Sequence, residues 1–305
     1  MDSKYGPLLS AGHKEIYNEK LRITGDAVSA LCFNSRFGWS ADRFYQFKII
    51  EDCVCLYCKG EEGLAKQHIV MPLGEITPEK IRIIADFYMP EFEAAGNLIK
   101  VMFVPDNKIE IFKSVKGYDC DVFNSADFDE YVYDTESLIG LKGKQLKSKK
   151  NLLNRFYRDC MSCEFSALIK ENMQECLELT EKWCAERGID KNDLRSSDYI
   201  PIKIMFDNFD ALDIRGGVIK LHKKMIAFFI GSEPVGDTGF IHFEKVDQVV
   251  SGANVAIVVA ALENTFADVK YINREEDMGI EGLRTAKQSY MPAYMTHKND
   301  VFLKK

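Results

Sequence analysis

"GFIHFEKVDQVVSGANVAIVVAALENTF", Gly239 to Phe266, sets a strand-like run against a long apolar one. In the first part apolar and polar residues alternate, the period of a β-strand with unlike faces. Such a strand puts His242 and Glu244 on one face and Ile241 and Phe243 on the other. In the second part Val255, Val258, Leu262 and Phe266 recur at helical spacing. The run "ANVAIVVAAL" is shorter than the roughly 20 apolar residues a membrane-spanning helix needs, so it reads as a buried helix.

Outward from this stretch, the elements fall into place by pattern. Downstream, "VKYIN" reads as a strand, "GIEGLRTAKQSYM" as a helix and "YMTHKNDVFLKK" as a last strand. Upstream, "GGVIKLHKKMIAFFIGS" is a hairpin with Lys223 and Lys224 near its turn. Met173, Cys176, Leu177, Thr180, Trp183 and Cys184 trace one face of a helix that stops at Gly188. The N-terminal half has the same order. "FYQFKIIEDCVCLYCKG" holds two strands around Glu51 and Asp52, and "QHIVMPLG" is a third. "TPEKIRIIADFYMPEFEAAG" opens a helix with Thr77 as cap and Pro78 at its first position, and "NLIKVMFVPD" is a strand ended by Pro105.

The composition is that of a soluble globular chain: 305 residues, 46% hydrophobic and 29% charged. A net charge of −7 supplies no global field for nucleic acid, so any contact with phosphate needs a local patch. "MDSKYGPLLSAGHKEIYNEK" lacks the apolar core of a signal peptide, which predicts a cytoplasmic protein with no transmembrane segment. Nine cysteines without a secretion signal predict free thiols. "CVCLYC" is a buried strand rather than a metal site, since Cys53 and Cys55 share a face and Cys58 takes the other. "DCDVFNSADFDE" carries acids at several calcium-loop positions, but Phe123 has no oxygen to offer and Asn124 replaces the needed glycine. No metal is expected.

One local patch does occur. "GLKGKQLKSKKNLLNRFYRD" separates the halves, and Lys147, Lys149, Lys150, Arg155 and Arg158 could face RNA from a helix that buries Leu152, Leu153, Phe156 and Cys160. An ordinary solvated linker helix is the other reading. The expected division is an N-terminal domain over 1–140, a basic linker helix over 141–160 and a C-terminal domain over 161–305.

The order helix, helix, antiparallel strands, central helix, strand, helix, strand resembles a GNAT-type acyltransferase fold. The expected fold class is therefore mixed α/β, two GNAT-like domains in tandem. Acyl transfer requires a base for the incoming nucleophile, a donor for the developing oxyanion and an acid for the leaving group. On that plan Glu244 is the candidate base, with Asp247 or His242 next in line, and Tyr290 is the candidate acid. Core or solvent-facing roles are the bland alternatives for each. The donor would meet Gln248, Gly252, Ala253 and Asn254, where acyl-CoA enzymes carry a glycine-rich pyrophosphate turn. Here that turn reads "QVVSGANVA", with Ser251 where the first glycine belongs, which favours another donor over acyl-CoA.

Three segments carry a closer resemblance: "DEYVYDTESLIGLKGKQLKSKKNLLNRF", "HFEKVD…GAN" and "YINREEDMGIEGLRTAKQSYMP". With "FNSRFGWS" around Trp39, they resemble the family of the C-terminal region of phosphatidylglycerol lysyltransferase. The resemblance implies a tandem GNAT-like fold akin to the FemABX aminoacyl-transferases, with aminoacyl-tRNA as donor and no tightly bound cofactor. The membrane-embedded half of the lysyltransferase has no counterpart here, so a small-molecule or peptide acceptor is expected. Asn273, Arg274, Arg284 and Lys287 fall in the most recognisable motif. Arg284 and Lys287, three apart on a helix, could meet a donor phosphate or pair with Glu275, Glu276 or Glu281. The function expected is aminoacyl transfer to an amine or hydroxyl, with acyl-CoA-dependent N-acylation and a catalytically silent ligand- or RNA-binding module as alternatives.

Overall fold

A computed structural model describes residues 4–62 and 64–305. The chain divides into two compact units: the first runs to Asp129 and takes in Thr296–Lys305, and the second is Glu130–Met295.

The first unit contains helices α1 (Lys14–Thr24), α2 (Phe33–Gly38), α3 (Pro78–Ala94) and α4 (Ile109–Lys113). Its strands are β1 (Gln46–Ile50), β2 (Cys53–Cys58), β3 (His68–Val70), β4 (Ile99–Pro105), β5 (Asp119–Asn124) and β13 (Lys298–Lys304). Their order across the sheet is β1-β2-β3-β4-β13-β5, and only β3 and β4 run parallel. Glu51 and Asp52 turn the first hairpin with left-handed backbones (φ 50° and 61°), which suits the twist of two-residue hairpins. Thr77 accepts a hydrogen bond from Lys80 N at 3.3 Å and Pro78 occupies the first turn, so α3 starts where its cap dictates. All of β2 is buried, as expected for an apolar run inside a sheet, and the cysteines are free thiols.

The second unit contains α5 (Thr135–Gly140), α6 (Lys147–Asp159), α7 (Met173–Glu186), α8 (Tyr199–Asp207), α9 (Phe209–Leu212), α10 (Ala253–Asn264) and α11 (Glu281–Gln288). Its strands are β6 (Glu130–Asp134), β7 (Cys163–Ala167), β8 (Arg215–Leu221), β9 (Lys224–Val235), β10 (Thr238–Val246), β11 (Tyr271–Asn273) and β12 (Tyr294–Thr296). They lie in the order β12-β6-β11-β10-β9-β8-β7, with β10 and β11 parallel. One sheet face packs on α10, whose Ala253 to Leu262 run is nearly all buried with Phe156, Phe229, Ile241 and Phe266. The other face meets α7 and α8, where Lys245 Nζ lies 3.6 Å from the Trp183 ring centroid and bonds Asp198 at 2.5 Å.

Both units thus lead an antiparallel run into a parallel pair joined by one long helix: β1-β2-β3, α3, β4 and β8-β9-β10, α10, β11. Each parallel pair is then flanked by a strand from the opposite half of the chain, β13 beside β4 and β6 beside β11. Three expectations change accordingly. The division falls at Asp129/Glu130 rather than near residue 140. The basic helix α6 packs on α10 inside the second unit rather than linking two domains. The last strand is split, and β13 pairs in the first unit's sheet because its apolar Val301 and Leu303 fill that core.

Candidate functional site

The site begins where two strands part. β10 pairs with β11 through Thr238, Gly239 and Phe240 only. Beyond Phe240, β10 stays with β9 as far as Val246. Beyond Asn273 the other chain stays with β6: Arg274 N donates to Tyr131 O at 3.0 Å, and Tyr131 N to Glu275 O at 3.1 Å. A wedge opens between them.

A β-bulge decides which side chains reach each side of it. Ile241 pairs with Gly231, but Phe243 pairs with Ile230 and Glu244 with Phe229, so His242 is the extra residue. Directly opposed residues point to the same face, which puts Glu244 with Phe229 and Ile241 on the α10 side. His242 points to the opposite face and bonds Ser232 Oγ at 2.6 Å. The strict alternation read from the sequence, with His242 and Glu244 together, is therefore replaced by opposite faces.

Two ion pairs span the wedge, one on each face. On the α10 side Arg274 grips Glu244 with two bonds, Nε to Oε1 at 2.7 Å and Nη2 to Oε2 at 2.8 Å. Burial opposes the guanidinium's charge, but Glu244 outweighs it and Arg274 stays charged. Both carboxylate oxygens of Glu244 are thereby occupied, so its place is that of an anchor for Arg274 rather than a base open to substrate. On the other side His242 Nδ1 meets Glu275 Oε1 at 2.7 Å. The His242 side chain is 1% exposed and that of Glu275 is 22% exposed, so the pair ends in solvent at its carboxylate. Burial pushes the Glu275 carboxyl above the ordinary range, with the His242 bond pulling the other way.

Glu275 owes its position to the loop around it. Its backbone is left-handed, φ 61°, an arrangement that costs a non-glycine residue about 1–2 kcal/mol and needs support. Asn273 supplies it: its Oδ1 accepts from Glu275 N at 2.9 Å while its Nδ2 donates to the buried Glu130 at 2.6 Å. Lys287 Nζ donates to the carbonyls of Arg274 and Glu275, and burial, with Arg274 nearby, lowers the ammonium to about 8. Asp277, fully buried, accepts from Tyr131 Oη at 2.6 Å, Gly279 N at 2.8 Å and Arg284 Nε and Nη2 at 2.9 Å. Burial pushes its carboxyl up, but these donors outweigh it and hold it at about 2.

Several expected site residues have other duties. Arg284 pairs with Asp277, and Lys287 bonds backbone, so both brace the loop. Asn273 is also a brace. Asp247 bonds Lys182 at 2.9 Å and Val249 N at 3.2 Å; against the upward push of burial, these donors keep its carboxyl below the usual range. The expected pyrophosphate turn is closed: Gly252 is buried under α6, and a Cβ there would lie 2.7 Å from Leu152 O and 3.0 Å from Phe156 Cβ. Ala253 is also buried, while Gln248 and Asn254 stay exposed beside it. On α6, Arg155 and Arg158 pair with Asp159 at 3.2 and 3.0 Å, and Lys147 and Lys150 are exposed.

Lys149 is the exception on that helix. It turns inward, half-buried, with Nζ 4.2 Å from the centroid of the Tyr290 ring, while Arg274 Cζ lies 4.6 Å from the same centroid. Burial, then Arg274, lowers its pKa from the usual lysine value. Tyr290 is 3% exposed, and burial pushes its phenol up to about 12 against the pull of Arg274. Beside it lies a cavity of about 150 Å³ lined by Tyr133, Asp134, Ser137, Leu138, Leu146 and Tyr290.

From the sequence Glu275 is only a possible partner for Arg284 or Lys287, and Ser232 and Glu130 have no part in the expected site. Only Glu275 left a signal: an Asn two residues ahead of it is the start of an Asx turn, which Asn273 makes.

This architecture defines a fold class, tandem GNAT-like and mixed α/β. Within that class the chain belongs to the phosphatidylglycerol lysyltransferase, C-terminal family, whose model matches residues 22–298. A conserved protein of unknown function from Bacteroides thetaiotaomicron superposes with a TM-score of 0.88 at 25% identity, over 97% of this chain and 98% of its own. L-PGS from Bacillus licheniformis has a TM-score of 0.68 at 14% identity, over 97% and 93%. FemX has a TM-score of 0.61 at 10% identity, over 96% of each chain. At such identities the last two show the shared fold. Among the described residues, no helix is long and apolar enough to cross a membrane.

Proposed function

We propose that the second unit transfers an aminoacyl group from aminoacyl-tRNA to an amine or hydroxyl on a small molecule or peptide, with Glu275 as the proton acceptor. The observation that carries this reading is the wedge between β10 and β11 with a partly exposed carboxylate at its mouth, backed by a buried histidine.

With Glu275 ionised, His242 donates Nδ1–H to Oε1 and its Nε2 accepts the Ser232 hydroxyl proton. That pattern fixes the ring. An incoming nucleophile gives its proton to Glu275 as it attacks the ester carbonyl; the ester C–O bond to the ribose then breaks, and Glu275 returns that proton to the leaving ribose oxygen. A carboxylate whose proton affinity is raised by burial is a better base than a solvated one. The covered N-terminus of α10 supports tRNA over acyl-CoA, because its buried amides have α6 against them instead of space for pyrophosphate.

The test is transfer of a radiolabelled amino acid from charged tRNA to amine and hydroxyl acceptors, with acetyl-CoA as a parallel donor. Glu275→Gln should lower turnover about a hundredfold with donor affinity unchanged. Transfer from acetyl-CoA alone, or binding of both donors with no turnover, would remove this reading.

A further inference from the structure

The stretch "CMSC", Cys160 to Cys163, joins the end of α6 to the start of β7 and has no part in the wedge. Its spacing alone decides nothing, because such pairs also hold metals. Among the described residues, however, no third ligand completes a metal site around them. The fold adds what the spacing lacks. Cys163 N donates to Cys160 O at 2.9 Å, which closes a β-turn on the two cysteines. A β-turn keeps its first and last Cα atoms within about 7 Å, and disulfides join Cα atoms about 4.4–6.8 Å apart. Cys160 belongs to the apolar cluster around α10, and Cys163 packs against that cluster, so both side chains lean to one side of the turn. The thiols are near enough that the charge of one opposes ionisation of the other. Met161, 87% exposed, and Ser162 form the outer tip, and Cys163 is partly open to solvent. The three cysteines of β2, by contrast, are fully buried in their sheet.

We propose that Cys160 and Cys163 are a reversible dithiol–disulfide pair, oxidised by exchange with a small-molecule disulfide. Cys163, the more open of the two, loses its proton, and its sulfur attacks one sulfur of the small disulfide. That S–S bond breaks, and one small thiolate leaves and takes up a proton. The Cys160 sulfur, deprotonated in turn, then attacks the Cys163 sulfur. The mixed disulfide breaks, and a second small thiolate leaves and takes up a proton. The protein loses two hydrogens with their electrons, and the small disulfide gains both. The ring so closed is short, so little chain entropy is removed and the bond acts as a switchable link rather than a staple. Burial pushes both thiols above the ordinary cysteine range, so exchange is slow at neutral pH and quickens as pH rises. Oxidation ties the last turn of α6, where Cys160 N bonds Phe156 O at 2.8 Å, to the outermost strand of the second sheet.

The experiment incubates the full chain in buffers of graded reduced-to-oxidised glutathione ratio, blocks the remaining thiols by alkylation and maps the products by mass spectrometry. The peptide holding Cys160 and Cys163 should escape alkylation, weigh two hydrogens less and return to the alkylated form after treatment with dithiothreitol. Its rate of formation should rise about tenfold per pH unit while the thiols stay below their pKa. Cys160→Ser should stop at a glutathione adduct on Cys163, and Cys163→Ser should leave Cys160 mostly free at the same time point. Thermal melts confirm that both variants are folded. Full alkylation of both thiols in the most oxidising buffer would overturn the pair. So would a stable glutathione adduct on Cys163 in the natural chain, which Cys160 should resolve. An internal disulfide that persists in folded Cys160→Ser would place the chemistry at other cysteines and overturn it as well. If a variant fails to fold, the mapping of the natural chain, which needs no substitution, still decides.

Discussion

Each sheet carries a buried histidine on the strand that enters its parallel pair, and the two are wired differently. His68, on β3, bonds Tyr45 Oη at 3.1 Å and the Lys66 carbonyl at 2.7 Å. Burial drives it to about 3, so it stays neutral. His242, on β10, has a hydroxyl on one nitrogen and a carboxylate on the other. The neighbouring strands differ to match. Past β3 the chain remains hydrogen-bonded, with Met71 N donating to Met102 O at 2.9 Å, and Met71 and Leu73 are buried. Past Phe240 of β10 the strands separate around charged groups. One crossover can thus serve as plain core or as a site, depending on whether apolar or ionisable residues follow the parallel pair.

The contrast is sharpest at Asp277, fully buried in the loop after β11. Asp277→Ala leaves Arg284, Tyr131 Oη and Gly279 N without their common acceptor, and should cost about 3 kcal/mol in denaturant unfolding. Loss of turnover should accompany it, because the same loop presents Glu275. A stability change under about 1 kcal/mol would mean that the loop is held mainly by Lys287 and Asn273.

His68 provides the next largest effect. In the folded chain it binds a proton only near pH 3, whereas the unfolded chain binds one near the usual 6.5. Between those values the unfolded state holds more protons, so stability falls as pH drops below 6.5, by about 1.4 kcal/mol per pH unit from this one group. His68→Gln should flatten that dependence in urea melts between pH 6.5 and 4.5 without altering turnover at pH 7.5. An unaltered slope would show that His68 takes up its proton in place, and that the two histidines differ less than their partners suggest.

The smallest effect concerns α6. Neutralising exposed Lys147 or Lys150 should reduce the salt slope of RNA binding by about 0.7 each. Arg155→Gln and Arg158→Gln should change it less, since Asp159 already engages both. Equal effects at all four would mean that the helix acts as a uniform charged surface.

What could be read from the residues was whatever local chemistry controls. The Thr77–Pro78 helix start, the Glu51–Asp52 hairpin and the apolar α10 depend on near neighbours, and all three stand as expected. The tandem fold was legible from element order and motif. The bulge at His242 was not, because its extra residue is defined by the partner strand β9, and one residue of register reverses every later side chain. For the same reason the motif's charges were legible as a cluster but not as pairs. Arg284 was expected to meet phosphate or a nearby Glu, and it selects Asp277 because the turn at Gly279 folds the loop back on itself. Lys149 reads as one more solvated lysine until the helix carrying it is seated on α10.

The exchange of flanking strands has a consequence for biosynthesis. β13 lies between β4 and β5, inside the first unit's sheet, yet it is made after every residue of the second unit. Synthesis proceeds at about 5–20 residues per second, and domains ordinarily fold as they emerge. Here the first unit must wait, its β4 edge open, while the second is translated and completed. The first unit's sheet is therefore completed only after the second unit has been made, although synthesis begins with it.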